Sequence, residues 1–217
     1  MSELYGQQHL AFQENFSTQE LAKRVRENIV LTQFAPEHKT FIEQRDMFFL
    51  TTIDHRGYPT CSYKGGSPGF VKVLDEKTLA FPSYDGNGMF LSIGNISSNC
   101  KIGLLFIDFE IPHRVRVHGN AEVVCHGALL DEFPAADVVV RMKLTEVFVN
   151  CPRYIHPYKR LGVSKYAPQP GSAAPLPAWK RIAGLQDALP TRDRDVAEAL
   201  GLITPEEYAE LVGKGEA

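Results

Sequence analysis

The hydrophobic pattern of the chain changes period at residue 47. Met47–Ile53 is apolar, aromatic and β-branched, and the turn-forming residues Asp54–Gly57 follow it, which predicts a strand that enters a hairpin. Short segments of the same kind recur as far as Cys151, separated by turn formers such as Asp75–Lys77. Closely spaced short strands with few helices predict an antiparallel barrel of about six strands.

Helices are predicted on both sides of this region and within it. Ser17 and Glu20 have the spacing of a capping box, which predicts a helix that continues to about Arg26. Thr204 and Glu207, with a proline at the first helical position, predict another helix start near the C-terminus. Further helices are predicted over residues 36–45, 89–98 and 129–144, and the last is followed by a predicted strand over 145–151.

Composition divides the chain into three predicted parts. Residues 1–45 form an N-terminal helical cap, residues 46–166 the barrel domain, and residues 167–217 a linker with a C-terminal helical tail. The linker is predicted from its prolines, which stand among glycine and serine and favour extended backbone. These prolines are Pro168, Pro170, Pro175 and Pro177.

The overall composition narrows the function classes. Hydrophobic residues make up 44% and charged residues 23% of the 217 residues, as in a globular protein. The net charge of -3 predicts no dedicated nucleic-acid binder, and apolar runs such as 104–107 are far shorter than the roughly 20 residues of a membrane helix. The four cysteines form no CxxC pair, and the first residues do not resemble a signal peptide. We therefore expect a cytoplasmic protein with reduced thiols, no metal site, no membrane contact and a small-molecule substrate.

Two segments carry candidate chemistry. The loop and helix from Ser83 to Asn99 combine glycines, short polar side chains and a helix N-terminus, which together would suit an anion. Lys64 on the second predicted strand would add a positive charge. A tight turn and a solvated edge lysine explain the same residues without a ligand, so both interpretations stay open. In the strand that begins at Arg114, charged residues alternate with Val115 and Val117, which predicts one core row and one solvent or ligand row.

Cys151 allows two interpretations as well. His156 lies close enough in sequence to activate the thiol as a nucleophile. Cysteine is also among the most buried residue types, so a small buried hydrophobe at a strand end is the alternative, and the one we favour.

The order of these segments resembles the FMN-binding split barrel of the pyridoxamine 5′-phosphate oxidase-like flavoproteins. The resemblance covers about 80 residues and also includes the run Asn150–Tyr154, which is similar to a subgroup of that family. It implies a mainly β fold, a six-stranded antiparallel split barrel with N- and C-terminal helices. The matching stretches are 47–54, 57–59, 78–82, 95–99, 101–106 and 114–122.

The resemblance implies a homodimer that holds two FMN molecules between its barrels. A guanidinium near flavin N1 and the C2 carbonyl would stabilise the reduced ring, and we assign this role to Arg114. The implied cofactor-binding residues are Ser62, Lys64, Asn87, Gly88, Met89, Ser92, Asn95, Arg114 and Arg116. The substrate-side candidates are Cys151, Arg153 and His156.

The implied function is that of an FMN-dependent oxidoreductase that acts on an unknown small organic substrate, with NADH or NADPH as reductant. The alternatives are a flavin storage or sensor protein without turnover, and a deazaflavin-dependent reductase, which would need a wider and more basic groove. The vitamin B6 oxidases carry an Arg-Lys pair and an arginine-led second strand. Here those positions fall near Phe90–Ser92 and Pro59–Thr60, which carry no matching charges, so B6 oxidation is not expected.

Overall fold

The structure is a computed structural model that describes residues 4–168 and 174–217, and within these ranges it contains one antiparallel sheet of seven strands. The strand order is β2-β1-β5-β6-β7-β4-β3. The strands are β1 (Met47–Ile53), β2 (Pro59–Gly65), β3 (Lys72–Asp75), β4 (Thr78–Tyr84), β5 (Lys101–Asp108), β6 (His113–Val124) and β7 (Ala136–Val149). The predicted mainly β class is confirmed, but the sheet has seven strands rather than six. No ladder between β2 and β3 closes it within the described residues.

Helices lie at the periphery of this sheet and in the C-terminal part of the chain. They are α1 (Gln7–Asn15), α2 (Gln19–Ile29), α3 (Pro36–Glu43), α4 (Leu91–Ser98), α5 (Ala128–Asp131), α6 (Thr191–Leu200) and α7 (Pro205–Lys214). The predicted helix start at Ser17 is wrong. Ser17 adopts a φ of 55°, and α2 begins only at Gln19, because the chain first turns after α1.

The core lies on one face of the sheet and contains an aromatic cluster. Phe48 has ring-centroid distances of 5.8 Å to Phe70, 5.0 Å to Phe81 and 5.2 Å to Phe106. Alternate residues of β1, β5 and β6 point into this core, as the period-two pattern predicts. The predicted core row of β6 is confirmed, since Val115 and Val117 are buried.

The predicted helix over residues 129–144 is wrong. Only the single turn α5 is helical there, and β7 runs without interruption over the predicted helix and the predicted strand after it. β7 pairs with β6 on one side and β4 on the other, so its backbone groups are satisfied by the sheet. Its buried residues Val140, Met142 and Leu144 alternate with exposed Arg141 and Lys143, which is a strand period.

The chain forms two compact units that divide between residues 163 and 164. In the second unit, Thr204 caps α7: its hydroxyl accepts from the Glu207 N–H at 3.2 Å and Glu207 returns a bond at 2.7 Å. The predicted helix start is thus confirmed. Lys180, 3% exposed, donates to Asp193 at 2.8 Å. Of the predicted linker, residues 169–173, including Pro170, lie outside the described part of the chain.

No helix in the described ranges has the length and apolar character to cross a membrane. Within residues 4–168 and 174–217, no group of three His, Cys, Asp or Glu side chains could hold a metal ion.

Candidate functional site

A hydroxyl and amide network fixes α4 to the hairpin of β1 and β2. The Asn95 amide donates to the Thr52 hydroxyl at 3.0 Å and to the Thr60 hydroxyl at 3.1 Å, and the two hydroxyls are 2.7 Å apart. Thr52 is 1% and Asn95 7% exposed, so these bonds lie inside the protein. Asn95, predicted as a cofactor ligand, therefore has its amide protons engaged in positioning the helix.

The first turn of α4 lies against β2. Ser62 on β2 and Ser92 in the helix have hydroxyl oxygens 3.1 Å apart. The N-cap residue Phe90 has a φ of 48°, and no side chain caps the helix. The first N–H groups of α4 thus lack a side-chain acceptor beside two hydroxyls, an arrangement that suits an anion.

Lys64 lies on the same face of β2 as Ser62, two residues further along the strand. Its partner across the β1 ladder is Phe48 of the core, and its side chain is half-buried. Burial lowers the pKa of the Lys64 ammonium. Within the described residues it makes no hydrogen bond or ion pair. A half-buried cation without a counter-charge costs free energy that an anionic ligand would recover.

The loop before α4 is a local turn. The Asn87 side chain accepts from the Met89 N–H at 3.1 Å, and Gly88 has a φ of 77° that favours glycine. The helix predicted over residues 89–98 begins later than expected, at Leu91, and Met89 precedes it and is 61% exposed. Within the described residues, no hydrogen bond joins Asn87, Gly88 or Met89 to the Ser62 and Ser92 pair.

The predicted flavin-edge arginines lie on the other face of the sheet. Ser62 pairs with buried Leu50, whereas Arg116 pairs with Leu105, which pairs with Phe49. Consecutive residues of β1 point to opposite faces, so Ser62 and Lys64 share one face while Arg114 and Arg116 share the other. Within one chain, the structure does not bring the two sets together.

Arg114 and the segment after β7 form a small cationic cluster. Arg114 Nη2 donates to the Cys151 carbonyl at 2.9 Å, and its Nε is buried without a partner in the described structure. Cys151 is exposed, so the favoured buried interpretation is wrong. The Arg153 N–H, and then its guanidinium, hydrogen-bond the Cys151 thiol and lower its pKa. No hydrogen bond joins Cys151 to His156 among the described residues.

The two threonines of the network were missed by the sequence analysis. Thr52 and Thr60 are cross-strand neighbours, and the hairpin turn at 54–58 sets their register. The sequence position of the turn fixes which residues of the two strands lie opposite each other, so it could have predicted that Thr52 faces Thr60. The approach of Asn95 from α4 has no comparable local signal.

The family comparison matches more than half of the chain. The sequence model described as Pyridoxamine 5'-phosphate oxidase matches residues 34–154, which include the sheet, α4 and the cationic cluster. No curated protein matches the chain.

Solved structures with similarity to the chain cover about half to two thirds of it. HupZ of Group A Streptococcus is 22% identical, with a TM-score of 0.45, over 54% of this chain and 93% of its own. A putative pyridoxamine 5'-phosphate oxidase of Lactobacillus delbrueckii is 26% identical, with a TM-score of 0.44, over 54% and 95%. An FMN-binding protein of Syntrophomonas wolfei is 12% identical, with a TM-score of 0.41, over 64% and 97%.

Proposed function

Because this chain belongs to the pyridoxamine 5′-phosphate oxidase family, we propose that it is an FMN-binding oxidoreductase that acts on a small organic substrate. The observation that carries this proposal is the half-buried Lys64 ammonium without a partner in the described residues. Lys64 and the Ser62 and Ser92 hydroxyls would hold the FMN phosphate, and the uncapped first turn of α4 would add N–H donors.

The chemistry of these groups fits a phosphate. The set consists of one ammonium, two hydroxyls and free helix N–H groups, and it contains no carboxylate. Such a set of donors suits a phosphate dianion, because every group can donate a hydrogen bond to it and none carries a negative charge. When bound, FMN would supply the capacity to accept a hydride or electrons from a reductant such as NADH or NADPH and pass them on.

The two faces of the sheet support a homodimer. Lys64 and Arg114 lie on opposite faces, so one chain cannot direct both side chains at the same flavin. We propose that Arg114 of a second copy approaches the flavin held at Lys64. Its Nη2 is oriented by the Cys151 carbonyl at 2.9 Å, which would hold the guanidinium in place to stabilise negative charge on the reduced ring.

The substrate side of the proposed site is the segment that follows β7. Cys151, Arg153 and His156 are exposed there, so they are available to a ligand. The Arg-Lys pair of the B6 oxidases would fall near Phe90 and Leu91, which are apolar. We therefore propose a substrate other than a vitamin B6 phosphate.

The first experiment measures FMN binding and reduction by the purified protein. We expect quenching of FMN fluorescence on titration, and bleaching of the flavin absorbance when NADH or NADPH is added without oxygen. Bound FMN that stays oxidised with both reductants would support a storage or sensor role instead. Absence of FMN binding would refute the proposal, and preferential binding of a deazaflavin would replace FMN with that cofactor.

The second experiment tests the shared site by mixing two variants. If each site takes Lys64 from one copy and Arg114 from the other, a Lys64→Met homodimer and an Arg114→Ala homodimer each have two impaired sites. A mixed dimer with one copy of each variant contains one intact site, so purified mixed dimers should recover tight binding at about half of the sites. If Lys64 and Arg114 served the same chain's site, the mixed dimer would show no recovery, and the proposed sharing would be wrong.

A further inference from the structure

The two N-terminal helices stand apart from the sheet. The structure describes α1 and α2 in full, and neither helix has a buried residue. Within the described chain, every hydrogen bond of residues 7–29 joins them to groups in residues 5–30, such as the 3.1 Å bond from the Tyr5 hydroxyl to the Ala22 carbonyl. We call residues 7–29 the hairpin arm. The rest of its own chain therefore does not bury this arm.

The helices of the arm are too short to be stable by themselves. α1 has 9 residues and α2 has 11, whereas isolated helices of fewer than roughly 12 to 15 residues are marginal in water. In proteins, most helical stability comes from tertiary packing of an amphipathic face. Because the described chain buries neither helix, the surface that stabilises the arm has to come from another molecule.

The arm carries apolar side chains that a partner could cover. Leu21, Val25 and Ile29 recur at a spacing of four, so they form one stripe along α2. Phe12 and Phe16 have the same spacing at the end of α1. More than a third of each of these five side chains is exposed, and Phe16 is 74% exposed. A cluster of exposed apolar side chains of this size marks an interaction surface.

The charges of the arm indicate a protein partner. A helix that binds a membrane surface has a polar face rich in Lys and Arg, and a segment that binds nucleic acid is basic. The arm has as many carboxylates as cations, so it attracts neither an anionic membrane nor a phosphate backbone. The cations are Lys23, Arg24 and Arg26, and the carboxylates are Glu14, Glu20 and Glu27.

The base of the arm is fixed to β7. The Leu31 N–H donates to the Val147 carbonyl at 2.9 Å, and the Leu31 carbonyl accepts from the Val147 N–H at 2.8 Å. Val147 pairs on its other side with Val117 of β6, which is the neighbour of Arg116. At about 4.8 Å for each strand spacing, the base lies about 10 Å from β6, the strand that carries Arg114 and Arg116.

The proposed homodimer brings a second copy within reach of the arm. Arg114 of each copy approaches the flavin of the other, so the two chains meet beside β6. Since each residue of a helix adds about 1.5 Å, the 11 residues of α2 span about 16 Å, which is more than the distance from the base of the arm to β6. A second copy is thus the macromolecule that the proposed flavin site already requires near the arm.

We propose, on the basis of that homodimer, that the hairpin arm of each copy packs on the surface of the other copy. The stripe of Leu21, Val25 and Ile29, together with Phe12 and Phe16, forms the face that this packing buries. In a two-fold dimer each chain gives one arm and receives one. Folding of the arm is then coupled to dimer formation, because the short helices are stabilised only where their apolar face is covered.

The first test measures amide hydrogen exchange of residues 7–29 in the purified full chain at several protein concentrations. Sedimentation of the same samples gives the dimer fraction. We expect exchange in the arm to slow by about tenfold or more as the dimer forms. Protection that is the same in monomer and dimer would show that the arm folds on its own chain, and fast exchange in the dimer would show that the second copy does not cover it. Either result would overturn the proposal.

The second test replaces the apolar stripe. The triple variant Leu21→Gln, Val25→Gln and Ile29→Gln keeps good helix formers in α2 and removes its apolar face. We expect it to raise the dimer dissociation constant about tenfold or more. If the dimer resists dilution, the rate of subunit exchange with tagged protein should rise by a similar factor. Lys23→Gln with Glu27→Gln, on the opposite side of the same helix, is the matched control and should change neither quantity.

An unchanged dissociation constant and subunit exchange rate in the triple variant would overturn the proposal even if the first test succeeded. FMN titration separates this result from the proposed function. A protein that dimerises through its arms but binds no FMN would refute the flavin site and leave the arm in place. A protein that binds FMN and shows the mixed-dimer recovery, but whose arm stays unprotected, would refute the arm alone. A full chain that is monomeric at every concentration would refute both.

Discussion

Replacement of Lys64 by methionine should change stability and ligand affinity in opposite directions. The Lys64 ammonium is half-buried, its pKa is lowered by burial, and no described group offers it a counter-charge. Methionine keeps the length of the side chain and removes the charge that burial disfavours. We expect the FMN-free protein to gain up to about 1 kcal/mol in unfolding free energy, a small value because the ammonium is still partly hydrated.

The same substitution should weaken FMN binding. A hydrogen bond to a charged group contributes about 1.5 to 3 kcal/mol, which at 1.36 kcal/mol per decade is about 10- to 100-fold in the FMN dissociation constant. Fluorescence titration with FMN measures the affinity, and urea unfolding of the FMN-free protein measures the stability. Lys143→Met, on an exposed position of β7, is the control and should change neither quantity appreciably.

The pH dependence gives the sign of the electrostatic contribution. A lysine whose folded pKa is lowered destabilises the fold while it is charged, which includes neutral pH. The penalty is lost as the pH rises through the lowered pKa towards the ordinary value of 10.5, so the gain from methionine should shrink in alkali. A variant that is less stable without FMN and binds FMN as tightly as the parent would refute this account of Lys64.

Three further predictions concern separate features of the chain. Cys151 should react with iodoacetamide at neutral pH several-fold faster than the other three exposed cysteines, because the Arg153 N–H and guanidinium lower the pKa of its thiol. Arg153→Gln should slow the reaction of Cys151. Equal rates for all four cysteines, measured by peptide mass spectrometry, would contradict this prediction. Asn95→Ala should cost about 1 to 3 kcal/mol in urea unfolding, since two buried bonds are lost, and a neutral result would show that α4 is held otherwise. Thr204→Ala should destabilise α7 by about 1 kcal/mol, seen as faster hydrogen exchange in that helix alone, with Thr204→Ser as the tolerated control.

The donor set near α4 shows how far sequence reasoning could go at the site. Ser62, Lys64 and Ser92 were selected from their residue types and from the resemblance, and the structure brings Ser62 and Ser92 to 3.1 Å. The separation of Arg114 from this set was not foreseen. This separation follows from the register of the strand ladders. Ser62 pairs with an inward residue of β1, whereas Arg116 pairs with an outward residue of β5. Register between strands distant in sequence has no local signal.

The C-terminal strand shows the corresponding limit for the fold. The segment around residues 129–144 contains good helix formers, and its sequence alone favoured a helix. In the structure it is the long strand β7, because β6 and β4 offer hydrogen-bonding edges on both sides. Tertiary pairing therefore overrode local propensity, as it commonly does where a segment completes a sheet.

The sequence by itself determined the antiparallel β class, the period-two core row of β6 and the cap of α7. These depend on side-chain alternation, turn chemistry and a capping pattern, all of which act over a few residues. Only the tertiary structure decided that Asn95 joins Thr52 to Thr60, that Lys64 has no counter-charge among the described residues, and that Glu146 holds His118 over Gly103. Those features arise where strands and a helix distant in sequence meet, and their free energies depend on burial that no local pattern encodes.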